Sequence, residues 1–556
     1  MKKFKSIFNI KVIILLPLLL VLFIFYALFR LQPLEPTGIR SDAPVMGMDQ
    51  SSSPPVMETA NERIPLEYMK GGVPSMPDEQ ASQQFNTEEY DFIKENRFLT
   101  AIENPVSTFS IDVDTAAYSN LRRFIQQSMK PPKDAVRIEE MINYFDYDYP
   151  EPEGEHPFSI ITEVGPAPWN SNNRLVHIGL KGKSLNYEDI KPANLVFLID
   201  SSGSMEDANK LPLLKQSFKL LLNELGKEDR IALVAYAGSA GLVLASTPAT
   251  EKEKILSAIE TLSAGGATAG GQGIELAYAV AKENLIDPGN NRVILATDGD
   301  FNVGTSSTGE LVRLIEEKRK ENIYLTILGF GMGNYKDGRM EQISNAGNGN
   351  YFYIDTIREA EKVFVREMRA NLFTIAKDVK IQVEFNPSKI AAWRLIGYEN
   401  RVMAKEDFAD DTKDAGELGA GHTVTALYEI VPPGEKIPLA QAASLKYQET
   451  RIKPEAKVST ELMTVKLRYK PIGQENSRKI VKAVSQSVSF IKDTSENFRF
   501  SAAVAGFGML LRDSAFKNDL TYDDVLKWAT TSANADESGD RAEFVQLVKS
   551  CRLLTN

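Results

Sequence analysis

Asp200-Ser201-Ser202-Gly203-Ser204 stands at the end of a continuous apolar run, Leu195-Val196-Phe197-Leu198-Ile199. Such a run has the character of a strand buried on both faces of a parallel sheet. Ligands in open α/β sheets gather outside the carboxyl ends of these strands, so the position suits a site. Asp200, Ser202 and Ser204 alternate and can converge, while Gly203 allows a tight turn between the two serines. The pattern D-x-S-x-S is weak by itself, since about one chain in six of this length carries it by chance. Two further segments strengthen it. Gly265-Gly266-Ala267-Thr268-Ala269-Gly270-Gly271 is a glycine-rich loop ahead of a helix, with one hydroxyl, Thr268, at its centre. Thr297-Asp298-Gly299-Asp300 ends the next buried strand. Together these segments bring two carboxylates, Asp200 and Asp298, and three hydroxyls to one rim.

Hydrolysis at such a rim, as in a metal-dependent phosphohydrolase, would need a general base or nucleophile beside the oxygens. The three histidines, His156, His177 and His422, are far apart and none is in an HExxH, which excludes a zincin. They read as structural or surface residues. No Lys-Ser/Thr follows the 265–271 loop, so it is not a Walker A phosphate loop. Gly329 to Gly333 follows a strand without completing G-x-G-x-x-G and reads as tight packing. Asp112-Val113-Asp114 approaches the D-x-D-x-T/V of haloacid-dehalogenase phosphatases, but the fifth residue is Ala116 and Thr115 comes one place early. The single cysteine, Cys551, excludes an intramolecular disulfide, a cysteine zinc site and an iron–sulfur cluster. The bland alternative makes Asp200 and Asp298 ordinary strand-end residues, with Ser202 and Ser204 capping a helix.

The elements that position these oxygens alternate. Strands are expected at 195–199, 231–236, 293–296, 324–330 and 351–354, with helices at 211–225, 252–262, 274–285, 310–320, 340–346 and 358–368. This βαβ alternation predicts a doubly wound, mostly parallel sheet over 191–368. The preceding stretch, 104–190, mixes strand-like and helical pieces. The following stretch, 369–490, is rich in β pattern, and 491–556 is helical. Each flank shows few strands for a core of its own, which predicts that the two pack together with the α/β domain inserted between them.

Residues 194–368 resemble a von Willebrand factor type A (VWA) domain, with its elements in the same order. The segments 109–115, 139–145 and 329–335 and the flanks, to near the C-terminus, resemble bacterial YfbK-like VWA proteins. The resemblance implies a metal-ion-dependent adhesion site (MIDAS) made of Asp200, Ser202, Ser204, Thr268 and Asp298. Oxygen-only ligands select a hard cation, Mg²⁺ first with Mn²⁺ or Ca²⁺ behind. It further implies a bridging rather than catalytic metal, completed by an acidic residue of a protein partner. A structural scaffold in an envelope complex is the alternative from the same class of protein.

The chain ends set the expected address. Lys2, Lys3, Lys5 and Lys11 precede an unbroken apolar run, Val12 to Phe29, closed by Arg30. At 1.5 Å per residue that run spans about 27 Å, close to a bilayer core. Residues 12–30 therefore read as an uncleaved single-pass anchor in the cytoplasmic (inner) membrane. Residues 1–11 stay inside and the bulk lies outside the cytoplasm. Residues 31–103, rich in Pro, Ser, Met and Gly, read as a flexible tether, with order beginning near Asn104. Over all 556 residues, 64 Lys and Arg against 75 Asp and Glu give a formal net charge of −11. That balance, without a long basic run, argues against nucleic acid as a partner.

Overall fold

A strand that is apolar at every position must be covered on both faces, whereas a strand of alternating pattern needs one covered face. Both kinds occur here, and they build different layers. The computed structural model describes residues 87–555 apart from 186–190, 267–269, 300, 302–307, 334, 369–371, 439–446, 448–449, 486, 489 and 533–535. In chain order the strands are β1 (Leu99–Thr100), β2 (Val106–Ser110), β3 (Phe158–Ala167), β4 (Asn170–Gly182) and β5 (Ala193–Asp200). There follow β6 (Arg230–Tyr236), β7 (Ala240–Pro248), β8 (Asn290–Thr297), β9 (Ile323–Phe330), β10 (Tyr351–Ile354), β11 (Thr374–Phe385) and β12 (Ala392–Ile396). The last are β13 (Val402–Met403), β14 (Gly416–Gly419), β15 (Thr423–Val431), β16 (Met463–Pro471) and β17 (Arg478–Val484).

The first layer system is a six-stranded sheet of order β10-β9-β8-β5-β6-β7. Its pairs are parallel except β6 with β7. All eight residues of β5 are buried, and their side chains divide between two cores. Leu195, Phe197 and Ile199 pack with the helices Leu211–Glu224 and Lys252–Glu260. Val196 and Leu198 pack with Gly270–Glu283, Thr308–Lys320 and Asp337–Ala346. The expected doubly wound sheet is thus present. Its last helix differs from the expected 358–368: Ile357–Glu361 is α-helical and Lys362–Arg366 widens into a π-turn. There the buried Lys362 ammonium sits 4.6 Å from the Tyr144 ring centre.

The flanks form the second layer system. One sheet runs β1-β12-β15-β4-β3 and the other β13-β2-β11-β16-β17, with β14 also on β11. Each sheet takes strands from both sides of the inserted α/β domain. Ser110 of β2 pairs antiparallel with Lys380 of β11, and Ile178 of β4 with Ala426 of β15. One shared core closes them into a sandwich, with Val176, Ile178 and Leu180 against Ile381, Val383, Val465 and Leu467. A helical layer covers the first sheet. It combines Ala116–Gln126 and Ile138–Asn143 with Glu496–Arg512, Tyr522–Thr530 and Asp540–Thr555, and Cys551 is buried in it. Arg122 ties this layer to the VWA domain through Asp355 at 2.5 Å and Glu359 at 2.7 Å.

The expected tether ends earlier than residue 103. Thr87 donates its amide to Gly333 and Glu89 to Tyr335. The carboxylate of Glu88 holds Arg123 at 2.9 Å, and Phe98 is buried edge-on to Phe516. A few specific anchors hold this segment, which its composition does not reveal. The expected anchor at 12–30 lies outside the described residues. Among the described residues no helix is long and apolar enough to cross a membrane.

Candidate functional site

Parallel pairing of β5 with β8 sets Ile199 opposite Ala296, so the carboxyl ends of the two strands finish side by side. Asp200 closes one strand and Asp298 follows the other, and both are fully buried. The chain then turns through Ser202 and Ser204. Asp200 Oδ1 accepts the Ser202 amide at 2.9 Å. Its Oδ2 accepts the Tyr236 hydroxyl at 3.1 Å and the Thr297 hydroxyl at 3.3 Å. Burial pushes the Asp200 carboxyl above the usual carboxylate range, and the Asp298 charge adds to the rise. The Ser202 and Ser204 hydroxyls lie 3.1 Å apart, Ser202 buried and Ser204 exposed.

The capping alternative for these serines fails on geometry. Ser202 precedes the short 3₁₀ turn Gly203–Glu206 without a side-chain capping bond. The helix Leu211–Glu224 begins after Lys210, again without one. The glycine-rich loop is pinned to the same turn. Gly265 donates its amide to Ser201 at 2.8 Å, and Gly203 donates to Gly266 at 3.2 Å. Thr268 lies outside the described residues. Of the five expected ligands the structure therefore brings Asp200, Ser202, Ser204 and Asp298 to one rim and leaves Thr268 untested.

Lys210 was not foreseen at the site. Its Nζ donates to the Ser204 carbonyl at 2.8 Å and to Asp298 Oδ2 at 3.1 Å. The other carboxylate oxygen, Asp298 Oδ1, is buried and has no hydrogen-bond partner among the described residues. A buried acceptor left unpaired carries the full desolvation penalty of the group unless something completes it. An oxygen-only donor set with one unfilled carboxylate oxygen fits a hard divalent cation. Asp200, Asp298, Ser202 and Ser204 are the described residues that would hold it. Bound there, such an ion supplies a positive centre for an outside carboxylate.

No histidine serves this rim. His177 is buried between the Tyr149 hydroxyl at 2.7 Å and the Ser501 hydroxyl at 2.9 Å, and burial pushes it down to about 3. His156 meets the Tyr469 hydroxyl at 2.8 Å in the sandwich. His422 is half-buried, and desolvation pushes it down to about 4.

Sequence reasoning also missed a second carboxylate cluster. Asp114, Glu140 and Glu341 bring oxygens within 4.8 Å of one another where the sandwich meets the VWA domain. Two guanidiniums fill it. Arg137 reaches Glu140 at 3.1 Å, Asp337 at 2.8 Å and Glu341 at 2.5 Å. Arg401 reaches Glu341 at 2.9 Å, Asp114 at 3.5 Å and Asp112 at 3.6 Å. Asp114 also accepts the Tyr351 amide at 2.7 Å. The pair Asp112 and Asp114, which looked like part of a phosphatase motif, is a structural clasp. Arg137 and Glu140, three apart at a helix start, were the one local signal for it.

The parallel sheet with helices on both faces and D-x-S-x-S at its carboxyl edge defines a VWA protein. The description "von Willebrand factor type A domain" matches residues 194–366, and "von Willebrand factor" matches 84–177. Members of this class commonly mediate protein–protein interaction, and many hold a divalent cation at a MIDAS. Within that class the chain belongs to the YfbK family. The description "Uncharacterized protein YfbK, C-terminal" matches residues 370–554. The Escherichia coli (strain K12) protein YfbK is 41% identical over 476 residues, covering 83% of this chain and 81% of that protein. Inter-alpha-trypsin inhibitor heavy chain H4 of Sus scrofa is 30% identical over 147 residues, covering 25% of this chain and 16% of that protein. A solved von Willebrand factor type A protein from Catenulispora acidiphila superposes with a TM-score of 0.37 at 15% identity, covering 81% of this chain and 91% of that one.

Proposed function

We propose that this chain binds a protein partner through a divalent cation, Mg²⁺ before Mn²⁺ or Ca²⁺, held by Asp200, Ser202, Ser204, Thr268 and Asp298. The observation that carries the reading is the buried, unbonded Oδ1 of Asp298 beside two serine hydroxyls that cap nothing. A partner's Asp or Glu is the matching ligand, because the hydroxyls at the rim are neutral and leave the cation short of charge. No histidine stands at the described rim to act as a general base beside the carboxylates, which argues against hydrolysis there. The apolar run Val12 to Phe29 supports attachment to the inner membrane with the folded part outside the cytoplasm.

The test is thermal melting of the full chain in detergent with chelator, Mg²⁺, Mn²⁺ or Ca²⁺, for the native protein and Asp200→Ala. Metal at 100 times its dissociation constant should stabilise the native protein by about 2.7 kcal/mol. The shift should vanish in the variant. No shift in either protein would refute the metal site. Protease added to spheroplasts should digest a C-terminal epitope, and protection of that epitope would refute the placement.

A second reading is an envelope scaffold whose partner binding needs no metal. Lys210 favours it, since an ammonium already neutralises Asp298. Partner capture that survives Asp200→Ala would establish it.

A further inference from the structure

Lys210 is as secluded as the carboxylate it faces. The side chains of Lys210 and Asp298 are 2% and 0% exposed. An ammonium has three donors and no acceptor. Here the three directions are taken by the Ser204 carbonyl at 2.8 Å, Asp298 Oδ2 at 3.1 Å and Asp207 Oδ2 at 3.5 Å. The stem of the side chain lies against the backbone of Gly331, which follows β9 with φ at +74°. A Cβ at Gly331 would run into Lys210 Cγ, Cδ and Cε. Ordering so long a side chain costs rotamer entropy that a lysine on a helix surface keeps.

We propose that Lys210 is a resident cation of the rim: it holds Asp298 in place without metal, and its charge sets the concentration at which a divalent ion can enter. Two carboxylates end adjacent strands here with little solvent to screen them. With Lys210 they carry one net negative charge, without it two. The ammonium occupies Oδ2 and leaves Oδ1 open, so it lowers the attraction for a divalent ion without blocking it. At separations of a few ångströms inside a protein, that charge is worth an order of magnitude or more in affinity. The site would then ignore trace metal and fill only when bulk divalent cation is abundant. The threshold half of this inference rests on the metal-binding reading; the counter-ion half does not.

The experiment uses the full chain in detergent as native protein, Lys210→Met, Asp298→Asn and the double variant. In chelator, Lys210→Met should melt several degrees below native, because a buried carboxylate loses its partner. The double variant should melt above either single variant, since it leaves neither charge alone. Losses that simply add would overturn the inference and make Lys210 a packing residue. If Lys210→Met fails to fold, Asp298→Asn against the double variant decides alone: a double variant less stable than Asp298→Asn overturns it. In the second arm free Mn²⁺ is read by electron paramagnetic resonance. Lys210→Met should bind Mn²⁺ at least about tenfold more tightly than native protein. Equal or weaker binding would overturn the threshold. Absence of Mn²⁺ binding in every variant, with the melting cycle intact, would refute the metal reading and its threshold while upholding the counter-ion.

Discussion

The rim of the VWA sheet and the clasp between the two layer systems are both built on buried carboxylates, and different cations answer them. At the clasp, four buried carboxylates (Asp114, Glu140, Asp337 and Glu341) and the half-buried Asp112 surround Arg137 and Arg401; even Asp114 Oδ2, which makes no hydrogen bond among the described residues, faces Arg401 at 3.5 Å. At the rim, two carboxylates meet one ammonium, and Asp298 Oδ1 is left over. A planar fork with five donors reaches several carboxylates at once; a single ammonium on a stem reaches fewer. Acidic clusters are therefore separated less by their acids than by which cationic side chain answers them. The clasp is closed and holds domains together, while the rim faces outward through the exposed Ser204 hydroxyl.

The largest effect expected is at the clasp. Arg137→Met strands Glu140 and Asp337 in the interior, while Glu341 keeps Arg401, and should cost about 3–5 kcal/mol or more, seen as a lower denaturant midpoint or failure to fold. A variant as stable as native would show that the clasp is not structural. Almost as damaging is excision. Residues 101–190 expressed alone should show no cooperative unfolding transition, because β2 and β4 lose β11 and β15. At the rim the corresponding loss is of ligand and not of fold: Asp200→Ala should abolish the metal-dependent stabilisation of about 2.7 kcal/mol.

Acidity sharpens the comparison further. Burial pushes Glu140 and Asp337 up to about 7. The folded protein then keeps protons that the unfolded chain releases. This contribution to stability is complete below the ordinary carboxylate range and is lost as pH rises through about 7. Buried His177 and half-buried His422 act in the opposite sense, their contribution falling as pH drops below the ordinary imidazole range. Comparison with Glu140→Gln isolates the clasp. Between pH 5.5 and 7.5 the native protein should lose on the order of 2 kcal/mol relative to that variant, measured by thermal melting. An identical pH slope in both would remove Glu140 from the account. The smallest effect is at the exposed serine. Ser204→Ala should shift metal-free stability by less than about 0.5 kcal/mol, while weakening Mn²⁺ binding.

The α/β part was legible because a strand buried on both faces is apolar along its run, as Leu195–Ile199 is. The edge strand β17 was not. Its sequence Arg-Lys-Ile-Val-Lys-Ala-Val leaves most side chains exposed, so it lacks the apolar face that marks a strand. The mixing of flanks in each sheet could be inferred from a shortage of strands, but register depends on partners hundreds of residues apart, and local pattern carries no trace of it. At the rim, spacing and residue type placed Asp200, Ser202, Ser204 and Asp298. Lys210 escaped because a lysine at a helix start ordinarily faces solvent; only the glycine at 331, far along the chain, makes room for it. Asp112 and Asp114 escaped because their short pattern fails the phosphatase motif and offers no other role, while the arginine that answers them, Arg401, comes later in sequence.

The interleaving of the two flanks also orders the birth of the molecule. A ribosome makes β2 first, yet its neighbour β11 emerges only after the whole six-stranded sheet has been translated. The β3–β4 hairpin forms early and then waits for β15. The inserted sheet, whose strands pair only among themselves, assembles during that wait. Until the last third of the chain arrives, the apolar faces of β2 and β4 stand uncovered, so the sandwich closes only late in synthesis.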